Sequence, residues 1–213
     1  PGRDLIVVSG AEHDAVANQR QVAAREGFSW HVLPLGADGV SDTDWGTGPG
    51  AGSPPTGRVA VGSMTLVSSV KGFASRVHAD GGLAHSDVAQ AIATMDVSFR
   101  RMGVDLMSVG GHKVGAPAGI GVLVATRGIP MVTDRPGGGH ERAIRSGTPD
   151  VAGACALAAA LDETVRERPA FARRSRQLRE HLLTHLPLGV EATVEASAAS
   201  SAIIHLSLPT ARP

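Results

Sequence analysis

Tyrosine is missing from this sequence and cysteine occurs once, at Cys155. A lone thiol closes no internal disulfide, which agrees with a reducing compartment, and the cytoplasm is the expected location. Aromatic side chains are scarce throughout, with four Phe and two Trp in 213 residues. Neither a base-stacking platform nor an aromatic-rich docking face is indicated. No charge of one sign dominates either, since twenty Lys and Arg balance twenty Asp and Glu. That balance gives no broad footprint for nucleic acid or an anionic membrane, and the expected ligand is small. No apolar run approaches the ~18 residues a membrane-spanning helix requires, and the opening PGRDLIVVSG lacks the charged and apolar regions of an export signal. Neither a membrane span nor export is therefore expected. What the chain does have is length enough for one sizeable core, or one domain and the beginning of another.

Short apolar runs alternate with longer segments of helical period, the pattern of an α/β domain built on a largely parallel sheet. Strands are predicted at DLIVVS, SWHVLPL, RVAVGSMTLV, GLAHSD, VDLMSV and GIGVLVAT, the last of undetermined direction. A helix is predicted over AEHDAVANQRQVAAREG, ending near Gly27, with Ala15, Val16, Val22 and Ala23 as a thin apolar face. The Gly, Pro and Asp density of GADGVSDTDWGTGPGAGSPPTG predicts a surface loop. Two further helices are predicted at DVAGACALAAALDETVRE and PAFARRSRQLREHLLTHL, the second amphipathic. From about Gly189 the pattern reads as the start of a small mixed domain, with SSAIIHLSLP its one clear strand.

Lys113 is the residue around which the chemistry gathers. It follows a predicted buried strand and is surrounded by Gly110, Gly111, Gly115 and Gly119, which allow a bulky ligand close to the backbone. A lysine in a partly desolvated site has the lowered pKa that Schiff-base formation with an aldehyde requires, although an isolated lysine is ordinarily a solvated charge. In open α/β sheets the ligand lies beyond the carboxyl ends of the strands. Asp87 and Lys113 each sit just past such an end.

HSDVAQA, then MSVGGHKVGAPAGIGVL, then GGGHERAIRSGTPDVAG, in that order and preceded by AEHDAV, resemble the cysteine desulfurases of the class V aminotransferase group. The likeness covers most of Leu5 to Leu186. It implies a fold type I, pyridoxal-phosphate-dependent α/β architecture, with a largely parallel or mixed sheet of the seven-stranded type flanked by helices. Residues 1–150 would form the cofactor-binding large domain and 151–213 a helical connection with part of a small α+β domain. Carried over by residue, the resemblance implies that Lys113 forms the Schiff base with pyridoxal 5'-phosphate and also moves the substrate proton. Asp87 would pair with the pyridinium nitrogen, keeping it protonated so that the ring acts as an electron sink. Gln90 would donate to the phenolic oxygen, His13 would stack on the ring, His112 would bind the phosphate, and Thr148 would reach the phosphate of a partner subunit. A homodimer is thereby implied, with L-cysteine or a related amino acid as substrate, a protein or thiol as sulfur acceptor, and no metal.

Simpler roles exist for the same residues. Asp87 equally suits a helix N-cap, His13 a surface histidine, GGGHER a flexible loop, and Arg142 and Arg145 solvated cations. Gly137 to Gly139 lie too far from a lysine–serine pair to form a P-loop. The sequence also departs from the family pattern. Gly110 replaces a serine phosphate ligand, so anchoring would rest on backbone N–H groups and His112. Ser68 and Ser69 stand where the family has two asparagines, and the stretch from Ser69 to Asp87 is about six residues short of it. A desulfurase also needs a nucleophilic cysteine near the C-terminus and an arginine for the substrate carboxylate, and the sequence ends before both. Cys155, in VAGACALAAAL, is expected to be a small buried helix residue. Other members of the group, a C–S or selenocysteine lyase, an aminotransferase or a kynureninase-like hydrolase, would share Asp87 and Lys113, and a non-catalytic relative is the remaining alternative.

Overall fold

The computed structural model describes residues 2–36, 57–72, 81–133, 135–194 and 199–209. Six strands form one sheet: β1 (Leu5–Ser9), β2 (Ser29–Leu33), β3 (Val59–Ser63), β4 (Leu83–Asp87), β5 (Leu106–Gly110) and β6 (Gly121–Ala125), in the order β2-β1-β3-β4-β5-β6. The first five are mutually parallel and β6 runs antiparallel to β5. This is the mixed, mostly parallel sheet that the alternation of apolar runs and helical segments predicts. The predicted loop over 36–57 falls almost wholly outside the described residues, as do residues 73–80 of the stretch between Ser69 and Asp87.

Period-two alternation divides the sheet into two faces. Ala84, Met107 and Val109 point to one side and join Val67, Val88, Ala91, Ile92 and Val104 in the main core. Leu5, Val7, Leu33, Val59 and Met64 make a second buried cluster. Register then decides what the other face carries. Ser63 pairs with His85, and Asp87 with Ser108, so all four side chains share the face opposite the main core.

Two helical expectations are corrected. The segment from Ala11 to Gly27 forms two short helices, α1 (Asp14–Ala17) and α2 (Arg20–Arg25), rather than one. α1 buries no residue and α2 buries only Ala23, and so thin an apolar face lacks the packing that holds a longer helix together. After α3 (Phe99–Met102) the two predicted C-terminal helices are a single one, α4 (Val151–Thr184), with Pro169 inside it. Proline removes one i→i−4 bond. Neighbouring Arg168 compensates by tethering the helix, its Nε donating to the Ile92 carbonyl at 2.9 Å and its guanidinium pairing with Asp96 at 3.4 Å. Asp150 caps α4, accepting from the Gly153 N–H at 2.8 Å. Cys155 is exposed, not buried. Gly153 and Leu157 are the buried positions here, four apart, and a residue midway between them faces away. β7 (Glu191–Ala192) and β8 (Leu206–Ser207) pair antiparallel as a separate small sheet. No helix among the described residues is long and apolar enough to cross a membrane.

Candidate active site

Asp87 is the last residue of β4, and its backbone is held from both sides. Its carbonyl accepts from the Leu66 N–H at 2.8 Å, and the next N–H, of Val88, donates to the Ser108 carbonyl at 3.0 Å. Its Oδ1 accepts from the Ala89 N–H at 2.9 Å, the turn-capping role that aspartate fills at such a junction. Beyond it the chain makes helical turns rather than a regular helix, Ile92 N–H donating to Val88 and Met95 N–H to Ala91. Gln90 lies half-buried in the first of these turns.

On the neighbouring parallel strand, β5 ends at Gly110 and passes directly into a 3₁₀ turn, Gly111–Lys113, which carries His112 and Lys113 exposed. Gly111 is required there, because a Cβ would lie 2.7 Å from the Ile120 carbonyl oxygen. Gly110 is different. A Cβ at that position meets Ala89 Cβ and His112 Cε1 only at 3.5 Å, ordinary contact. Only one other lysine occurs in the sequence, half-buried Lys71.

His13 is exposed and caps α1, its Nδ1 accepting from the Ala15 N–H at 3.1 Å. Thr148 is exposed, two residues before the α4 cap. Among the described residues, no hydrogen bond or ion pair joins Thr148, His112 or Lys113 to Asp87. Strand order places Asp87 and the turn bearing Lys113 at adjacent carboxyl ends; Thr148 is set apart from them in the chain and is tied to neither.

A polar chain that sequence reasoning did not pick out runs across the same face. Glu12 Oε1 and the Ser63 Oγ lie 2.7 Å apart, Ser63 Oγ and His85 Nδ1 2.8 Å, and His85 Nε2 and Ser108 Oγ 3.2 Å. A tight turn, in which the Glu12 N–H donates to the Ser9 carbonyl, aims Glu12 at the sheet. The second carboxyl oxygen, Oε2, is buried with no partner among the described residues. Burial is the main reason the Glu12 carboxyl is pushed up to about 7; Asp87 adds to this, while Ser63 and the Thr65 backbone oppose it. Burial likewise holds the His85 imidazole below its ordinary value, against the pull of Asp87. The signal for His85 and Ser108 was present in the strand period, since each falls on the Asp87 face.

The donor set suits a phosphorylated pyridine aldehyde. It offers a carboxylate for a ring nitrogen, a primary amine for the aldehyde, an amide, an imidazole, and glycines where the backbone must lie close to a ligand. The sheet end thus has the makings of a pyridoxal-phosphate site.

The chain belongs to the aminotransferase class-V family, whose model matches residues 1–208. Its curated relatives include cysteine desulfurases. The IscS-like cysteine desulfurase of Mycobacterium tuberculosis is 43% identical over 99 residues, which are 46% of this chain and 25% of that protein. Cysteine desulfurase IscS of Methylococcus capsulatus is 33% identical over 200 residues, 87% of this chain and 47% of that protein. Among solved structures, DndA from Streptomyces lividans superposes with a TM-score of 0.81 at 26% identity, covering 96% of this chain and 60% of that one. The chain spans about half the length, or less, of the curated relatives it matches.

Proposed function

We propose that the protein carrying this chain is a pyridoxal-phosphate-dependent cysteine desulfurase, which removes sulfur from L-cysteine to leave alanine and passes it on as a persulfide. The observation that carries this reading is the placement of Asp87 at the carboxyl end of β4 and of Lys113 three residues past the end of adjoining β5. Its relatives' names support the choice of cysteine within the class. When bound, pyridoxal phosphate supplies an electron sink for negative charge developing at the substrate Cα.

The remaining work falls to the protein's own groups. Asp87 presents a carboxylate that holds a proton on a ring nitrogen. Lys113 would hold the aldehyde through Nζ and would take the proton from the substrate Cα. Gln90 would donate to the phenolic oxygen, His13 would stack on the ring, and His112 with the backbone N–H groups of the glycine-rich turn would bind the phosphate. Thr148 reaches the phosphate in a partner subunit, which makes the working form a homodimer. Residues 1–150 serve as the cofactor-binding domain, and 151–213 as the helical connection and part of a small second domain. The sulfur goes to a thiolate assigned to no residue of this sequence, and from there to an acceptor protein or thiol in the cytoplasm.

The test uses the full-length protein with pyridoxal phosphate, L-cysteine and a reductant. Equal amounts of sulfide and alanine are expected, together with a visible imine absorbance that Lys113→Ala abolishes. A 2-oxo acid without sulfide would assign the protein to transamination, a 2-oxo acid with sulfide to C–S elimination, and an unchanged absorbance in Lys113→Ala would remove the lysine from its role.

A further inference from the structure

We propose that Glu12, Ser63, His85 and Ser108 form a proton relay beneath the candidate site, in which the protonation of Glu12 sets the tautomer of His85, so that Glu12 and His85 are positioning residues for Asp87 and Ser108. The relay runs from the turn after β1 through the end of β3 to the middle of β4 and of β5, and each link is within hydrogen-bonding distance, at 2.7, 2.8 and 3.2 Å.

Each serine hydroxyl has one proton to give, so the chain has two self-consistent directions. With Glu12 ionised, the Ser63 hydroxyl donates to Glu12 Oε1, His85 Nδ1–H donates to Ser63 Oγ, and the Ser108 hydroxyl donates to His85 Nε2. With Glu12 protonated, its O–H donates to Ser63 Oγ, Ser63 donates to His85 Nδ1, and His85 Nε2–H donates to Ser108 Oγ. The two states differ by one proton: on passing from the first to the second, Ser108 gives its proton to His85 Nε2 and takes one from outside the relay, Nδ1 gives its proton to Ser63, and Ser63 gives its own to Glu12. In the second state the Ser108 hydroxyl is released from His85 and has a proton to offer elsewhere on the face it shares with Asp87.

The groups around Glu12 are consistent with both states. Asp87 and His85 face it from β4, Ser63 and Thr65 from the end of β3, and His13 on its own segment turns its Nδ1 to the Ala15 N–H. The Asp87 carboxyl adds to the rise at Glu12, and a proton held on Glu12 takes one negative charge away from beside Asp87. The ordinary midpoint of a carboxyl would keep the relay in one direction at neutral pH. Burial, with the Asp87 charge beside it, brings the exchange near pH 7.

This inference rests on the proposed function only for its consequence at Asp87. The test is therefore made on the full-length protein free of cofactor, labelled with ¹⁵N-histidine, with the His85 signals assigned by their loss in His85→Asn. Across the Glu12 transition the Nδ1 and Nε2 resonances are expected to exchange protonated and unprotonated character, one gaining a proton as the other loses it, a pattern distinct from a ring that takes up a second proton. The expected midpoint is about 7. Glu12→Gln should abolish the exchange. Ser63→Ala, which cuts the chain and leaves the carboxyl, should abolish it as well. A wild-type His85 that keeps one tautomer throughout overturns the relay, as does an exchange that persists unchanged in both variants. Exchange without imine formation at Lys113 upholds the relay and counts against the desulfurase reading alone.

Discussion

Gly110 stands where the pattern this chain resembles has a serine, and the difference is reversible on steric grounds. Its φ of −93° and ψ of 116° suit any residue, and a Cβ there makes only ordinary contacts. Gly110→Ser is expected to tighten pyridoxal-phosphate binding roughly tenfold, the scale of one added hydrogen bond to a charged group, as read by fluorescence titration. An unchanged affinity would mean that the phosphate lies elsewhere. Glu12 makes a prediction of a different kind. Its folded-state pKa of about 7 lies above the ordinary 4.5, so the stability this group contributes is fully present below 4.5 and is lost as pH rises to about 7. The loss amounts to roughly 3 kcal/mol at about 1.4 kcal/mol per unit. His85, with a lowered pKa, works oppositely and loses its contribution as pH falls below 6.5. Glu12→Gln removes only the first effect. In urea unfolding the variant should therefore gain on the wild type by roughly 3 kcal/mol between about pH 5 and about pH 8. A difference independent of pH would contradict the burial argument. Asp87 and Lys113 were legible in the sequence because each follows an apolar run. Glu12 was not, because its burial depends on strands β3 and β4, far along the chain.

The strands were readable as elements because each is a short apolar run bounded by turn residues, and parallel pairing follows from the helical segments between them. The helices were harder. Nothing local indicates that α4 continues through Pro169, since the tether from Arg168 to Ile92 crosses 76 residues of sequence. The segment Glu141–Ala143 also escapes a sequence reading. Its three non-glycine residues have φ values of 47°, 59° and 61°, in the left-handed region, which costs a residue with a Cβ roughly 1–2 kcal/mol. Arg142→Gly is expected to raise stability by about 1 kcal/mol in thermal unfolding, after allowing for the extra freedom of glycine in the unfolded chain. A loss of stability would show that the arginine side chain holds the turn through contacts stronger than the strain.

At the scale of the whole molecule, α4 connects the two sheets. Leu161 packs against the main core, while Arg179, 8% exposed, donates to the carbonyls of Ile203 at 3.0 Å and Ser200 at 3.5 Å in the segment leading to β8. Arg179→Ala should cost about 2 kcal/mol, the scale of charged hydrogen bonds left unmade, and should speed amide exchange in 200–207 more than in the main sheet. Equal protection in both regions would mean that the small sheet is held by something else. The faces of the large sheet are the part of this architecture on which function turns, one apolar and covered, the other carrying Asp87, His85, Ser63 and Ser108 toward the end where Lys113 emerges. The most direct test of that arrangement is borohydride reduction of the full-length protein with pyridoxal phosphate, followed by peptide mass mapping. Within this chain the pyridoxyl mass should fall on Lys113 alone. Its appearance on Lys71, or on neither lysine, would contradict the account.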